Sequence, residues 1–239
     1  PGQLATGSFA VENSDGLYDD LITDYGWGDA ACELALVADG ASSGDAFISF
    51  QVSGEPEFVS LADLDGNGVQ DLVVISDPPY DPADYLVVIL DDGMAGFSTA
   101  GSWVETGIEP ESLAVGDLDG DGDQEIVQVT VDAENDAHLY VLDHGGKVLP
   151  GFPLAAGRAS IGGGTTLSDL DRDGMMEIIY GSSTQVRVFE LDGSQWSNGW
   201  PVALAQSLYG NPAVGDVDFD GHPEIFVAES HTRLHLLRA

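Results

Sequence analysis

The sequence predicts an all-β protein, a β-propeller of about five four-stranded blades. A nine-residue acidic segment recurs four times, with starts 54, 52 and 47 residues apart. Each copy is followed at once by a short β-rich run, and no long amphipathic helical pattern appears anywhere in the chain. Four-stranded units at a period of about 50 residues are typical of propeller blades, whereas the repeats of a β-solenoid are usually about half as long or shorter.

The four acidic segments align without gaps, and we call them loops 1 to 4. They span residues 63–71, 117–125, 169–177 and 216–224. The β-rich runs that follow them are residues 72–75, 126–129, 178–180 and 225–227. After each of the first three loops, another predicted strand ends in a turn with an Asp-Gly or similar sequence, at residues 90–93, 142–145 and 191–193. Such turns between β-rich runs favour hairpins.

We assign the whole chain, residues 1–239, to one propeller domain. Its repeats are approximately 8–56, 57–110, 111–163, 164–211 and 212–239 plus 1–7. The first repeat holds a degenerate acidic loop that keeps Asn13 and Asp15, and the last repeat stops before a fourth strand. Residues 1–7 resemble the fourth-strand segment 150–157. Either the ring closes by pairing the N-terminus beside the last blade, or the five blades belong to a larger ring.

The loops have the chemistry of calcium sites. Oxygen-bearing side chains at positions 1, 3, 5 and 9 can converge on one point, because a glycine at position 6 permits a sharp turn. Position 7 would supply a backbone carbonyl. All-oxygen, carboxylate-rich coordination is typical of Ca²⁺, whereas Mg²⁺ uses fewer protein ligands and Zn²⁺ prefers His and Cys. The predicted ligands are Asp63, Asp65, Asn67, Val69 and Asp71; Asp117, Asp119, Asp121, Asp123 and Glu125; Asp169, Asp171, Asp173, Met175 and Glu177; and Asp216, Asp218, Asp220, His222 and Glu224.

Solvated acidic turns are the simpler interpretation of any one loop. They do not explain the same alternating pattern and the same glycine four times over. Carboxylates a few ångströms apart repel each other by about 1–4 kcal/mol per pair, depending on the local dielectric. We therefore expect about four bound calcium ions.

Composition excludes several classes of partner. The 239 residues include 42 acidic and only 6 basic side chains, giving a formal net charge of −36. Six cations cannot neutralise a phosphate track or an anionic lipid surface, so we expect no nucleic-acid binding. No apolar run approaches the roughly 20 residues of a membrane helix, so we expect no membrane insertion. The single cysteine, Cys32, excludes an internal disulfide framework.

The Asp-x-Asp-x-Asp-Gly-x-x-Asp/Glu loop between two strands, at this period, resembles the FG-GAP/VCBS-type repeat. That repeat builds the propellers of integrin α-subunits and of many secreted bacterial proteins. The resemblance implies calcium in the loops on one rim of the ring, and an extracellular, cell-surface or periplasmic location. The Phe-Gly…Gly-Ala-Pro signature of integrin blades is absent, and this chain has five units where integrin propellers have seven blades. The resemblance therefore does not imply an integrin-like mode of ligand binding.

No catalytic motif is present, and we expect no catalysis within this chain. None of the five histidines belongs to a motif with a nucleophile. Trp196 and Trp200 lie in a Gly/Asn/Ser-rich setting, where they could pack in a blade or stack on a sugar. We expect an extracellular calcium-binding propeller that serves as a recognition, adhesion or scaffold module for a protein or glycan ligand. The alternatives are a carbohydrate-binding lectin and an accessory propeller of a secreted hydrolase or lyase.

Overall fold

The computed structural model describes residues 20–24, 31–37, 47–53, 55–77, 84–91, 97–98, 104–107, 109–159, 163–230 and 233–238. All regular structure in these residues is β. None of them forms a helix of the length and apolarity needed to span a membrane.

The strands form five antiparallel sheets in chain order, which we call blades 1 to 5. Blade 1 contains β1 (Asp20–Asp24), β2 (Ala31–Val37) and β3 (Phe47–Ser53). Blade 2 contains β4 (Glu55–Ala62), β5 (Asp71–Asp77), β6 (Asp84–Asp91), β7 (Phe97–Ser98) and β8 (Val104–Gly107). Blade 3 contains β9 (Glu109–Gly116), β10 (Glu125–Val131), β11 (Asp136–Leu142) and β12 (Leu154–Arg158). Blade 4 contains β13 (Thr165–Ser168), β14 (Glu177–Ser182), β15 (Gln185–Phe189) and β16 (Val202–Ala203), and blade 5 contains β17 (Ala213–Gly215), β18 (Glu224–Glu229) and β19 (Arg233–Arg238).

The first strands of blades 2 to 5 lie side by side. Strand β9 contacts both β4 and β13, and β13 contacts β17. The hydroxyls of Ser112 on β9 and Thr165 on β13 are hydrogen-bonded at 3.1 Å. Blades that meet along their first strands form a propeller, so the predicted fold class is confirmed.

The apolar core lies between blades. Successive side chains of a strand point to opposite faces of the sheet. The second strand of a blade therefore contributes residues to the apolar clusters on both sides of that blade. On β10, Ile126 packs with blade 2 and Val127 packs with blade 4. On β14, Ile178 packs with blade 3 and Ile179 packs with blade 5. Burial on both faces explains why these second strands read as continuous apolar runs.

The residue at loop position 2 completes each of these clusters. Leu64 packs in the cluster between blades 2 and 3, Leu118 between blades 3 and 4, and Leu170 between blades 4 and 5. All three side chains are buried. The equivalent residue of blade 5, Val217, is 49% exposed, because no further described blade packs on that side.

Several sequence predictions concern residues outside the described ranges. The degenerate loop at Asn13 and Asp15 and the strand-like segment 1–7 lie there. The blade boundaries and the mode of ring closure stay predictions. The β-rich runs predicted after loops 1 to 4 are confirmed as β5, β10, β14 and β18.

Candidate metal loops

Each loop connects the first and second strands of its blade, and its position-9 carboxylate is the first residue of the second strand. These four carboxylates are buried. One oxygen of each accepts a hydrogen bond from the backbone N–H at position 2 of the same loop. The N···O distances are 2.8 Å for Leu64–Asp71, 2.9 Å for Leu118–Glu125, 2.6 Å for Leu170–Glu177 and 3.1 Å for Val217–Glu224. The strand start and the loop start are thereby joined in all four blades.

The remaining loop side chains are held by a second set of repeated hydrogen bonds. The position-1 aspartates accept the N–H of the position-6 glycine at 2.8–3.2 Å, at Asp63, Asp117, Asp169 and Asp216. The position-3 aspartates accept the N–H of position 5 at 3.1–3.2 Å, at Asp65, Asp119, Asp171 and Asp218. The position-5 side chains accept the N–H of position 7 at 2.7–2.9 Å, at Asn67, Asp121, Asp173 and Asp220.

Two positions in every loop have left-handed backbone. The position-6 glycines have φ of 89–100°, at Gly68, Gly122, Gly174 and Gly221. Position 4 also has positive φ, although it is glycine only in loops 1 and 2; Arg172 has φ 68° and Phe219 has φ 59°. The glycine at position 6 is predicted from the sequence, whereas the left-handed backbone at position 4 is not. The glycines at position 4 of loops 1 and 2, Gly66 and Gly120, are the sequence feature that could have predicted positive φ there.

Carboxylate oxygens converge in each loop. One oxygen from each of positions 1, 3 and 9 lies within 4.8 Å of the other two, in the groups Asp63–Asp65–Asp71, Asp117–Asp119–Glu125, Asp169–Asp171–Glu177 and Asp216–Asp218–Glu224. The position-5 carboxylates Asp121, Asp173 and Asp220 are not members of these groups. The carbonyl role of Val69, Asp123, Met175 and His222 stays a prediction.

Three oxygens of these clusters are buried without a hydrogen-bond donor. They are Oδ1 of Asp63, Oε1 of Glu177 and Oδ1 of Asp216. A buried carboxylate oxygen without a donor carries a large desolvation cost, which a bound cation would offset. The donor set therefore fits a hard divalent cation.

Burial and neighbouring charge raise the pKa of two closing carboxylates. Desolvation, followed by the aspartates of the same loop, raises the pKa of Glu125 to about 7 against a partly opposing hydrogen bond from the Leu118 N–H. Desolvation together with Glu190, Asp171 and Asp169 raises the pKa of Glu177 to about 7, against a hydrogen bond from Leu170.

These shifts predict how the metal-free protein responds to pH. Between pH 4.5 and 7 the folded protein holds protons on Glu125 and Glu177 that the unfolded chain has lost, so folding stability falls as pH rises through this window. Urea denaturation in EDTA at pH 5, 6 and 7 measures the effect. The double variant Glu125→Gln/Glu177→Gln should have a flatter profile, and equal slopes for both proteins would contradict the prediction.

Neighbouring loops are joined along the rim. The Gln124 N–H of loop 2 donates to the Leu64 carbonyl of loop 1 at 2.8 Å, and the Met176 N–H of loop 3 donates to the Leu118 carbonyl of loop 2 at 2.9 Å. Pro223 occupies the same position in loop 4 and has no N–H to donate. The four loops therefore follow one another along one rim, with a different contact between loops 3 and 4.

Loop 4 also differs because one arginine approaches its carboxylates and a second lies against its glycine. Nη2 of Arg238 lies 2.6 Å from Oδ2 of Asp218, and Nε of the same residue lies 3.8 Å from Oε1 of Glu224. The guanidinium of Arg172, from loop 3, lies against Gly221. A cation beside the cluster weakens its attraction for a metal ion. The four loops are thus alike in backbone and unequal in electrostatics.

A family model described as FG-GAP-like repeat matches residues 63–127 and 169–227, together just over half of the chain. The chain belongs to the FG-GAP-like repeat family. The matched residues include all four loops, the whole of β5 and β14, and the first residues of β10 and β18. The resemblance drawn from the sequence is therefore confirmed.

Solved structures with similar folds are larger than this FG-GAP-like chain. The V. cholerae biofilm matrix protein Bap1 has a TM-score of 0.51 at 14% identity, over 100% of this chain and 41% of that chain. Rhamnogalacturonan lyase YesW has a TM-score of 0.51 at 16% identity, over 87% of this chain and 51% of that chain. The Dos1 propeller has a TM-score of 0.45 at 12% identity, over 91% of this chain and 64% of that chain. At 14% and 16% identity, the two structures with a TM-score of 0.51 show a similarity of fold only. No curated protein matches the sequence.

Proposed function

We propose that this chain is a calcium-binding β-propeller that works outside the cell as a recognition, adhesion or scaffold module. The observation that carries the proposal is the fourfold group of converging carboxylates, which includes buried oxygens without donors. The groups contain oxygen ligands only, which favours Ca²⁺ over Zn²⁺. Extracellular modules bind calcium with dissociation constants of about 0.1–1 mM, so such loops would fill where calcium is abundant.

The position of the loops supports a scaffold role for the metal. The position-9 carboxylate is the first residue of the buried second strand. In loops 1 to 3, the position-2 leucine of the same loop packs in the core between its blade and the next one. An ion bound by positions 1, 3 and 9 would neutralise the repulsion within the loop and fix both strands. The surfaces between the loops would then be free to carry a ligand.

We propose binding rather than catalysis within this chain. The described histidines outside the loops pair with carboxylates: His138 with Asp132 at 2.9 Å, His144 with Asp123 at 3.3 Å, and His235 with Glu229 at 3.1 Å. A His–carboxylate pair needs a nucleophile within hydrogen-bond reach to form a catalytic triad. Within the described part of the chain, the ion pairs of these three histidines join them to carboxylates and not to a nucleophile.

Isothermal titration of the EDTA-treated, dialysed chain with CaCl₂, MgCl₂ and ZnCl₂ tests the metal assignment. Calcium should bind to several sites, with affinity well above that of magnesium. Glu125→Gln should remove one calcium site and leave the others. Absence of calcium binding at about 10 mM, or tighter binding of zinc, would overturn the proposal.

Loop 4 should be the weakest of the four sites, because Arg238 competes with the ion for Asp218 and Glu224. Replacing Arg238 with Ala should raise the affinity of this site by about threefold to tenfold, the size expected when one positive charge is removed near a divalent ion. The same titration measures it. Arg233→Ala is the matched control, since Arg233 is exposed at the other end of the same strand, opposite Glu229. An equal gain in both variants would show a general charge effect instead.

A further inference from the structure

A cleft of about 450 Å³ lies on blade 4 beside loop 3. Its lining residues are Asp171, Gln195, Trp196, Ser197, Asn198 and Trp200. Asp171 belongs to loop 3, and the others belong to the segment that leads to β16. The cleft therefore shares Asp171 with the candidate metal site of loop 3 and otherwise lies outside that site.

The two indoles are held at a fixed angle to each other. Their ring centroids are 6.2 Å apart with an interplanar angle of 76°, an edge-to-face pair. Trp200 is buried in the cluster between blades 4 and 5, whereas Trp196 is half-buried against that cluster. The Trp196 indole N–H donates to the carboxylate of Glu190. Trp196 is thus a fixed, partly open aromatic surface, and Trp200 positions it.

The polar groups around the indoles are mostly uncharged. Ser197 and Asn198 are exposed and offer a hydroxyl and an amide. The side-chain oxygen Oε1 of Gln195 accepts a hydrogen bond from Nη1 of Arg187 at 2.7 Å. The side-chain nitrogen Nε2 of Gln195 can then donate to a ligand. Asp171 is the one charged lining residue. An aromatic platform surrounded by amide and hydroxyl groups suits a ligand with an apolar ring face and many hydroxyls.

We propose that this cleft binds a neutral oligosaccharide, with a sugar ring stacked on Trp196 and its hydroxyls bonded to Gln195, Ser197 and Asn198. A neutral sugar fits better than an acidic one, because the cleft contributes a carboxylate and the whole chain carries a net charge of −36. The proposal names a ligand class for the recognition role proposed above and rests on that role.

The test is a fluorescence and calorimetric titration of the intact chain in saturating calcium. The probes are malto-, cello-, xylo- and mannohexaose, with hexagalacturonate as the acidic comparison. At least one neutral hexaose should bind and change the tryptophan emission. Trp196→Ala should weaken that binding at least about tenfold, since stacking supplies most of the contact.

Matched variants separate loss of the site from loss of the fold. Tyr209→Ala removes an exposed aromatic side chain outside the cleft and should leave sugar affinity unchanged. The double variant Ser197→Ala/Asn198→Ala, at exposed positions, should weaken binding even if Trp196→Ala fails to fold. The proposal is overturned if no neutral hexaose binds, if hexagalacturonate alone binds, or if both cleft variants bind normally. Trp196, Ser197 and Asn198 belong to none of the four metal groups, so calcium binding and sugar binding can be lost separately.

Discussion

Saturating calcium is expected to raise the melting temperature of this chain by several degrees for each site that fills, and EDTA to abolish the gain. A site with a dissociation constant of about 0.1 mM stabilises the folded state by roughly 2.7 kcal/mol at about 10 mM calcium, if the unfolded chain does not bind. For a domain of this size, that corresponds to roughly 5–10 °C for each such site. Differential scanning calorimetry with calcium or EDTA, at fixed ionic strength, measures it.

Glu177→Gln measures how much of the calcium-dependent rise in melting temperature comes from loop 3 alone. It keeps the shape of the closing side chain and its acceptor for the Leu170 N–H, and removes the charge that the ion requires. The calcium-dependent gain should shrink by one site. Asp192→Asn is the control, because it removes one carboxylate charge from an exposed turn of the same blade and retains an acceptor for the Ser194 N–H. Identical melting curves in calcium and EDTA would contradict the whole prediction.

The repeating features of the loops could be predicted from sequence because they are local. Positions 1, 3, 6 and 9 recur at fixed spacing within nine residues, and the apolar run begins directly after position 9. The sequence alone predicts that the side chains at positions 1, 3, 5 and 9 converge. The structure brings positions 1, 3 and 9 together in every loop, at Asp117, Asp119 and Glu125 for example.

The features that could not be predicted depend on pairing between distant segments. Arg238 reaches loop 4 because β19 pairs with β18 in a register that places it opposite Glu224. The residues that connect β18 and β19 show no turn motif. The sequence therefore does not predict which residue of β19 lies opposite which residue of β18. The cleft likewise joins Asp171 to Trp196 across 25 positions of the chain. The indole pair itself was visible in the sequence as two tryptophans four residues apart.

The left-handed residue at position 4 was hidden for a different reason. Loops 3 and 4 place Arg172 and Phe219 there, residues that rarely adopt positive φ. The surrounding hydrogen bonds from positions 1 and 3 hold the turn in the same shape as in loops 1 and 2. The backbone geometry is therefore imposed by the carboxylates, and the residue at position 4 adapts to it.

The position-2 leucine shows how the same loop serves the core, and its removal should be costly. Leu118 is fully buried between blades 3 and 4, where it packs with residues such as Val127 and Ile178. Leu118→Ala should destabilise the protein by about 2–5 kcal/mol, from lost burial and the cavity left behind. Urea denaturation in saturating calcium measures the change, so that loss of metal does not contribute.

Val217→Ala provides the matched comparison at the same loop position. Its side chain is 49% exposed, so the substitution should cost less than about 0.5 kcal/mol. The contrast follows from the fold alone, because a position-2 side chain is buried only when a following blade covers it. A loss at Val217 as large as that at Leu118 would contradict the prediction.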